Sequence, residues 1–117
     1  MKYLCLIYLD EQQMDAMPEA DMTALNAAHL TLNDALRASG HLVDAEALQP
    51  ARTTECVRLR NGKISVTDGP YAESKEMVAG FYVIEARDLT EATQIAARIP
   101  SASLGTVEVR PTRQLLV

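Results

Sequence analysis

Tyr3-Leu4-Cys5-Leu6-Ile7-Tyr8-Leu9 decides the fold of this 117-residue chain. The run is apolar without alternation. A strand that reads this way is buried on both faces and belongs in the middle of a sheet. Met77 to Ala86 repeats the pattern with Val78, Phe81, Tyr82, Val83 and Ile84, and Gly80 inside it marks a bulge or a close backbone approach. Two such strands need cover on two sides of the same sheet.

Helices supply one side. Asp10 to Met17 reads as an acidic loop, and Pro18 then opens a helix with Glu19 and Asp21 at its positive end. Met22, Leu25, His29, Leu32 and Leu36 follow at spacings of three and four as one apolar stripe, and Ser39-Gly40 ends it. A second helix starts at Asp88-Leu89-Thr90-Glu91, a capping-box pattern, carries Ala92, Ile95, Ala96 and Ile99, and stops at Pro100. Ser101 to Gly105 reads as a loop.

Between and after these helices lie further strands. His41 to Leu48 is one. Thr54 to Arg60 alternates Val57 and Leu59 against Cys56, Arg58 and Arg60 and reads as half-buried. Asn61-Gly62 is a type I′ hairpin signal, because both residues tolerate positive φ, and Ile64 and Val66 carry the return strand. Thr106 to Arg110 alternates as a final strand, and the tail Gln114 to Val117 is apolar. The order is β-α-β, a β-hairpin insertion, then β-α-β, an α+β plan of the ferredoxin-like, split βαβ kind with two helices on one face. A second copy stacked on the other face would complete a dimer of sheets. Residues 1–117 read as one domain.

Composition removes several function classes. The net charge of −5, with Lys and Arg spread thinly, disfavours nucleic acid and anionic membrane as partners. The first apolar run is short for a secretory signal, Asp10-Glu11 close it, and no run approaches a membrane span, so the expected location is the cytoplasm. Cys5 and Cys56 are then reduced thiols on strands, expected as small buried hydrophobes. Two Cys and two His without short ligand spacing give no case for a metal. No phosphate-cradling Gly-rich loop and no nucleophile elbow is present, so no nucleotide or other cofactor is expected.

The residues with chemical capacity gather around Asp68-Gly69-Pro70-Tyr71-Ala72-Glu73-Ser74-Lys75-Glu76. Asp68 before Gly-Pro is either the cap of a strand-to-helix turn or a carboxylate held rigidly in a cleft. Glu73, Lys75 and Glu76 fall on a short helical turn. Lys75 either binds an anionic group or pairs with an acid. His29 lies within the apolar helix stripe, so it faces the sheet. It is a satisfied core histidine or an acid/base whose pKa a carboxylate poises. His41, just past the helix cap, reads as a surface residue. Tyr8, Tyr71 and Tyr82 pack the core or line a pocket.

The stretch Thr67 to Glu76 resembles the D-G-P-F/Y-A-E-T/S-K-E signature of the DGPF-type branch of the YCII-related family. Met1 to Leu4 with Ile7-Tyr8, Gly80 to Ile84, and Gly105 to Pro111 are similar to further blocks of that family. The resemblance implies a dimeric α+β barrel and a cleft built around a histidine and an aspartate, here His29 and Asp68; the residues themselves offer Lys75, Tyr71, Tyr8 and Tyr82 as ligand-binding candidates. It leaves two functions open. One is a homodimer with a small-molecule cleft running acid/base chemistry of lyase, isomerase or hydrolase type through its side chains. The other is a ligand-sensing accessory module linked to sigma-factor-type regulators, beside which such proteins are found.

Overall fold

The computed structural model describes residues 1–116 as an α+β fold of antiparallel sheets and three helices. Four strands form the main sheet: β1 (Lys2–Leu9), β2 (Leu42–Ala47), β5 (Met77–Glu85) and β6 (Thr106–Pro111), in the order β2-β5-β1-β6. β1 and β5 are the inner pair, as their continuous apolar runs require. β3 (Glu55–Arg60) and β4 (Lys63–Asp68) pair only with each other.

Register divides each inner strand between two faces. Tyr3 sits opposite Ile84 and Cys5 opposite Tyr82, and these residues are buried. They pack with Leu32 and Leu36 of α2 (Glu19–Ala38) and with Ala92, Ile95 and Ala96 of α3 (Leu89–Ala96). Burying about a dozen aliphatic and aromatic side chains here, at about 1.5–3 kcal/mol each, is the main source of stability. Burial pushes the Cys5 thiol up to about 11, so it stays a neutral core group. On the opposite face Leu4, Leu6, Phe81 and Val83 are only half-buried, since both long helices lie on the other side.

Local chemistry explains most boundaries. Pro18 stands at the N-cap of α2, and Gly40 takes φ 79° just past its end, the left-handed position that favours glycine. Asp88 caps α3 by accepting from the Glu91 N–H at 2.9 Å, while the Glu91 carboxylate reaches back to the Arg87 N–H. Asn61 and Gly62 both have positive φ, 51° and 74°, which fits the expected hairpin turn. At Gly80 an added Cβ would lie 2.8 Å from the Glu46 carbonyl oxygen, so the glycine serves a close approach of β2 to β5.

Four expectations need correction. Asp10 to Met17 is not all loop. Asp10 accepts from the N–H groups of Gln12 and Gln13 and starts the short helix α1 (Glu11–Asp15). Residues 69–76 form bends and no helical turn, because Gly69 at φ 97° and Pro70 redirect the chain. Ser101 to Gly105 includes part of a 3₁₀ turn, Pro100–Ser103. The β3–β4 hairpin is not half-buried: Val57, Leu59, Ile64 and Val66 are exposed, and Cys56 is only half-buried. No helix is long and apolar enough to cross a membrane.

Candidate functional site

A cavity of about 650 Å³ opens between α2 and the sheet, within the size range of small-molecule sites. Met22, Leu25 and Leu30 of α2, Met14 of α1, and Ile7 and Leu9 of β1 give it apolar walls. The lower half of the α2 stripe, Leu32 and Leu36, is sealed core, whereas the upper half faces this space. The stripe therefore changes task halfway along one helix.

His29 sits where that change occurs. Its Nδ1 lies 2.8 Å from the Tyr82 hydroxyl on β5, and its Nε2 lies 2.7 Å from the Ser101 hydroxyl on the 3₁₀ turn. All three residues line the cavity. The imidazole and the Tyr82 ring stand 6.0 Å apart at 30°. Burial lowers the His29 pKa from 6.5, so the ring is neutral at neutral pH, and burial pushes the Tyr82 phenol up to about 12.

A neutral imidazole donates from one nitrogen and accepts at the other. In one tautomer Nδ1–H donates to the Tyr82 oxygen while the Ser101 hydroxyl donates to Nε2. In the other, Tyr82 O–H donates to Nδ1 and Nε2–H donates to Ser101. Either way both ring nitrogens are satisfied and all three groups stay neutral. Ser101 is only 2% exposed, which suits a positioning hydroxyl better than an attacking one. Because protonation would charge a ring that burial keeps neutral, the stability contributed here is present above pH 6.5. It is lost as pH falls through the lowered folded value.

Polar capacity continues along α2. Asn26 and Asn33 also line the cavity, and the Asn33 Oδ1 is buried with no hydrogen-bond partner among the described residues. A buried acceptor without a donor costs about 1–3 kcal/mol, so an ordered water or a ligand's donor is favoured at this atom. Glu11 and Asp15 of α1 add negative charge to the lining, and no Lys or Arg is among the lining residues. The Glu11 carboxylate accepts from the Ala51 N–H at 3.0 Å, which ties α1 to the segment after β2.

The candidates expected from sequence divide three ways. His29 and Tyr82 meet in the main cavity. Tyr8 and Tyr71 line a second cavity of about 560 Å³ at the root of the β3–β4 hairpin, with Pro70 and Met77. Asp68 and Lys75 are exposed and line neither cavity. Asp68 ends β4 opposite Glu55, and its carboxylate has no hydrogen bond among the described residues. Within one chain the structure does not bring Asp68 to His29: Asp68 ends the exposed strand β4 outside the cavity, and His29 instead meets Tyr82 and Ser101. His41, read as a bare surface residue, is half-buried and meets the Ser39 hydroxyl at 2.7 Å and the Glu91 carboxylate at 3.4 Å. Ser101 and Asn33 were not legible as site residues: a serine after a helix-stopping proline and an asparagine on a helix carry no chemical signature.

Two comparisons with known proteins bear on the chain's lineage. The model of the YCII-related domain matches residues 1–115. An uncharacterised protein of Rhizobium meliloti (strain 1021) is 34% identical over 117 residues, covering 95% of this chain and 91% of its own length. A family model that spans nearly every residue, together with a relative matched along almost its whole length, identifies the lineage: the chain belongs to the YCII-related family.

Proposed function

We propose that the cavity between α2 and the sheet binds a small, mostly apolar molecule carrying a hydrogen-bond donor, and that His29 takes a proton from it through Tyr82, whose hydroxyl gives its own proton to Nδ1 as it receives the ligand's. The observation that carries this reading is the neutral imidazole at the cavity wall, held from both sides by Tyr82 and Ser101. An acid/base needs a fixed orientation and a pKa that lets it accept, and a neutral ring meets both conditions. The unpaired Asn33 oxygen and the absence of Lys and Arg from the lining favour a donor-bearing neutral or cationic ligand over an anion. The reaction class that suits these groups is proton transfer of lyase or isomerase type, with Tyr82 relaying the proton to His29 and Ser101 as a positioning residue. Asp68 is left to the loop signature, which supports membership of the DGPF-type branch.

The fold reading is the ferredoxin-like one, supported by the order β2-β5-β1-β6 with two covering helices. A second copy stacked on the half-buried face of Leu4, Leu6, Phe81 and Val83 would give the dimeric α+β barrel.

Ala45 on β2 lines the cavity and is small. Ala45→Phe fills the space, and we expect it to weaken binding of the neutral dye Nile red at least about tenfold while the protein stays folded. Fluorescence titration reads the effect. Equal binding by wild type and Ala45→Phe would place the dye elsewhere and remove the cavity from the account.

A further inference from the structure

The second cavity, of about 560 Å³, takes no part in the proton transfer proposed for the first, and its chemistry differs. Tyr8 enters it from β1. Alternation along that strand turns Tyr3, Cys5, Ile7 and Leu9 into the core under the helices and leaves Leu4, Leu6 and Tyr8 on the other face. Thr106 of β6 is the cross-strand partner of Tyr8, so the two side chains stand on one face with Cβ atoms about 5 Å apart.

Thr106 in turn holds an acid there. Its hydroxyl donates to Glu76 Oε1 at 2.8 Å, across 30 residues of sequence, which fixes the carboxylate beside Tyr8. Glu76 is half-buried, lines the cavity and forms no ion pair among the described residues. Partly desolvating a carboxylate without a counter-ion costs free energy that an arriving cation offsets.

We propose that this cavity is a binding site for an organic ammonium group, with the Glu76 carboxylate as its counter-ion and the Tyr8 ring as its π surface. Glu76 is the one charged side chain in the lining, so an anion finds no partner. An aromatic face attracts a cation within about 6 Å of its centroid. Leu48, Pro70 and Met77 suit the carbon groups around a substituted nitrogen. A hard metal ion needs several oxygen ligands, and the described residues hold no cluster of three metal-ligating side chains. Tyr71 also lines the cavity, but the Arg58 guanidinium already stands 6.0 Å from its centroid, so Tyr8 and Glu76 carry the site. The proposal is independent of the His29 chemistry, although Leu48, Gln49 and Val78 line both cavities.

Choline and 3,3-dimethyl-1-butanol have nearly the same shape and differ in charge. In an NMR titration that follows the Met77 methyl, choline is expected to bind at least about tenfold more tightly than the alcohol. Glu76→Gln keeps the volume and an acceptor for Thr106 but removes the charge. It should weaken choline at least about fivefold and leave the alcohol and the circular dichroism unchanged. Tyr8→Leu, which removes the ring, should weaken choline as well. Equal affinities for choline and the alcohol, or choline binding that Glu76→Gln leaves intact, overturn the site. Choline binding lost in Ala45→Phe and kept in Glu76→Gln puts the cation in the first cavity and overturns it too. Nile red reads the first cavity alone and should be indifferent to Glu76→Gln, so loss of the ammonium site leaves the proton-transfer reading standing.

Discussion

Gly105→Ala lowers stability by more than about 3 kcal/mol, among the largest effects of any single methyl added to this protein. Gly105 precedes β6, and its N–H donates to the Ser101 carbonyl at 3.0 Å. A Cβ built there collides with the Tyr8 carbonyl oxygen, and it approaches the Tyr8 carbonyl carbon to 3.1 Å and Leu9 Cδ2 to 2.9 Å. The obstacle is backbone of the central strand, beside the bulge at Ile7/Tyr8, and it cannot rotate away as a side chain would. Relief requires β6 to part from β1 or the 3₁₀ turn to shift, and the second route draws Ser101 away from His29. Thermal unfolding should fall by about 10 °C or more. Gly40→Ala is the control. Its Cβ would meet nothing within 4 Å, so only the left-handed φ of 79° counts, at about 1 kcal/mol. Equal losses at the two glycines would contradict the collision.

Leu36→Ala is the second large effect. Leu36 is fully buried in the cluster that joins α2 to the sheet, and truncation leaves a cavity in a packed core at about 3–4 kcal/mol. Leu25→Ala, on the same stripe but facing the open cavity, removes fewer packed contacts and should cost less than about 1.5 kcal/mol. Urea unfolding of the two variants measures the difference. Similar losses would mean that the upper half of α2 is core, and that the cavity is not a standing feature of the fold.

The contrast between these leucines marks how far the sequence is readable. Period and composition identify α2, its proline start and its glycine stop, because those follow from forces within one helix. They place β1 and β5 at the centre, because a strand without polar alternation must be covered twice. The turn at Asn61-Gly62 follows from which residues tolerate positive φ. The stripe Met22 to Leu36 shows which face turns inward. It does not show that the sheet side leaves a gap beside Met22 and Leu25, since that depends on where β2 and α1 come to rest.

The site was half legible for the same reason. His29 is conspicuous as a histidine on an apolar face, and Tyr82 as a tyrosine on a buried strand. Their meeting is fixed by β5 passing beneath α2, 53 residues away in sequence. Ser101, 72 residues from His29, arrives only because the 3₁₀ turn folds back over the sheet. Asp68 drew notice through its rigid Gly-Pro neighbour. The turn is rigid, with Gly69 donating to the Thr54 carbonyl at 2.7 Å, but it closes the hairpin root and not the cavity. Local stiffness is written in a dipeptide, whereas the direction in which a hairpin leaves a sheet is not.

An NMR pH titration of His29 in wild type, Tyr82→Phe, Ser101→Ala and Asp68→Asn tests the central claim most directly. The account predicts a wild-type midpoint below 6.5, shifted by either hydroxyl removal and unmoved by Asp68→Asn. Stability in the same protein should fall as pH drops below 6.5, since the unfolded chain then binds the proton more readily. A midpoint that ignores Tyr82 and Ser101 and follows Asp68 would contradict the account.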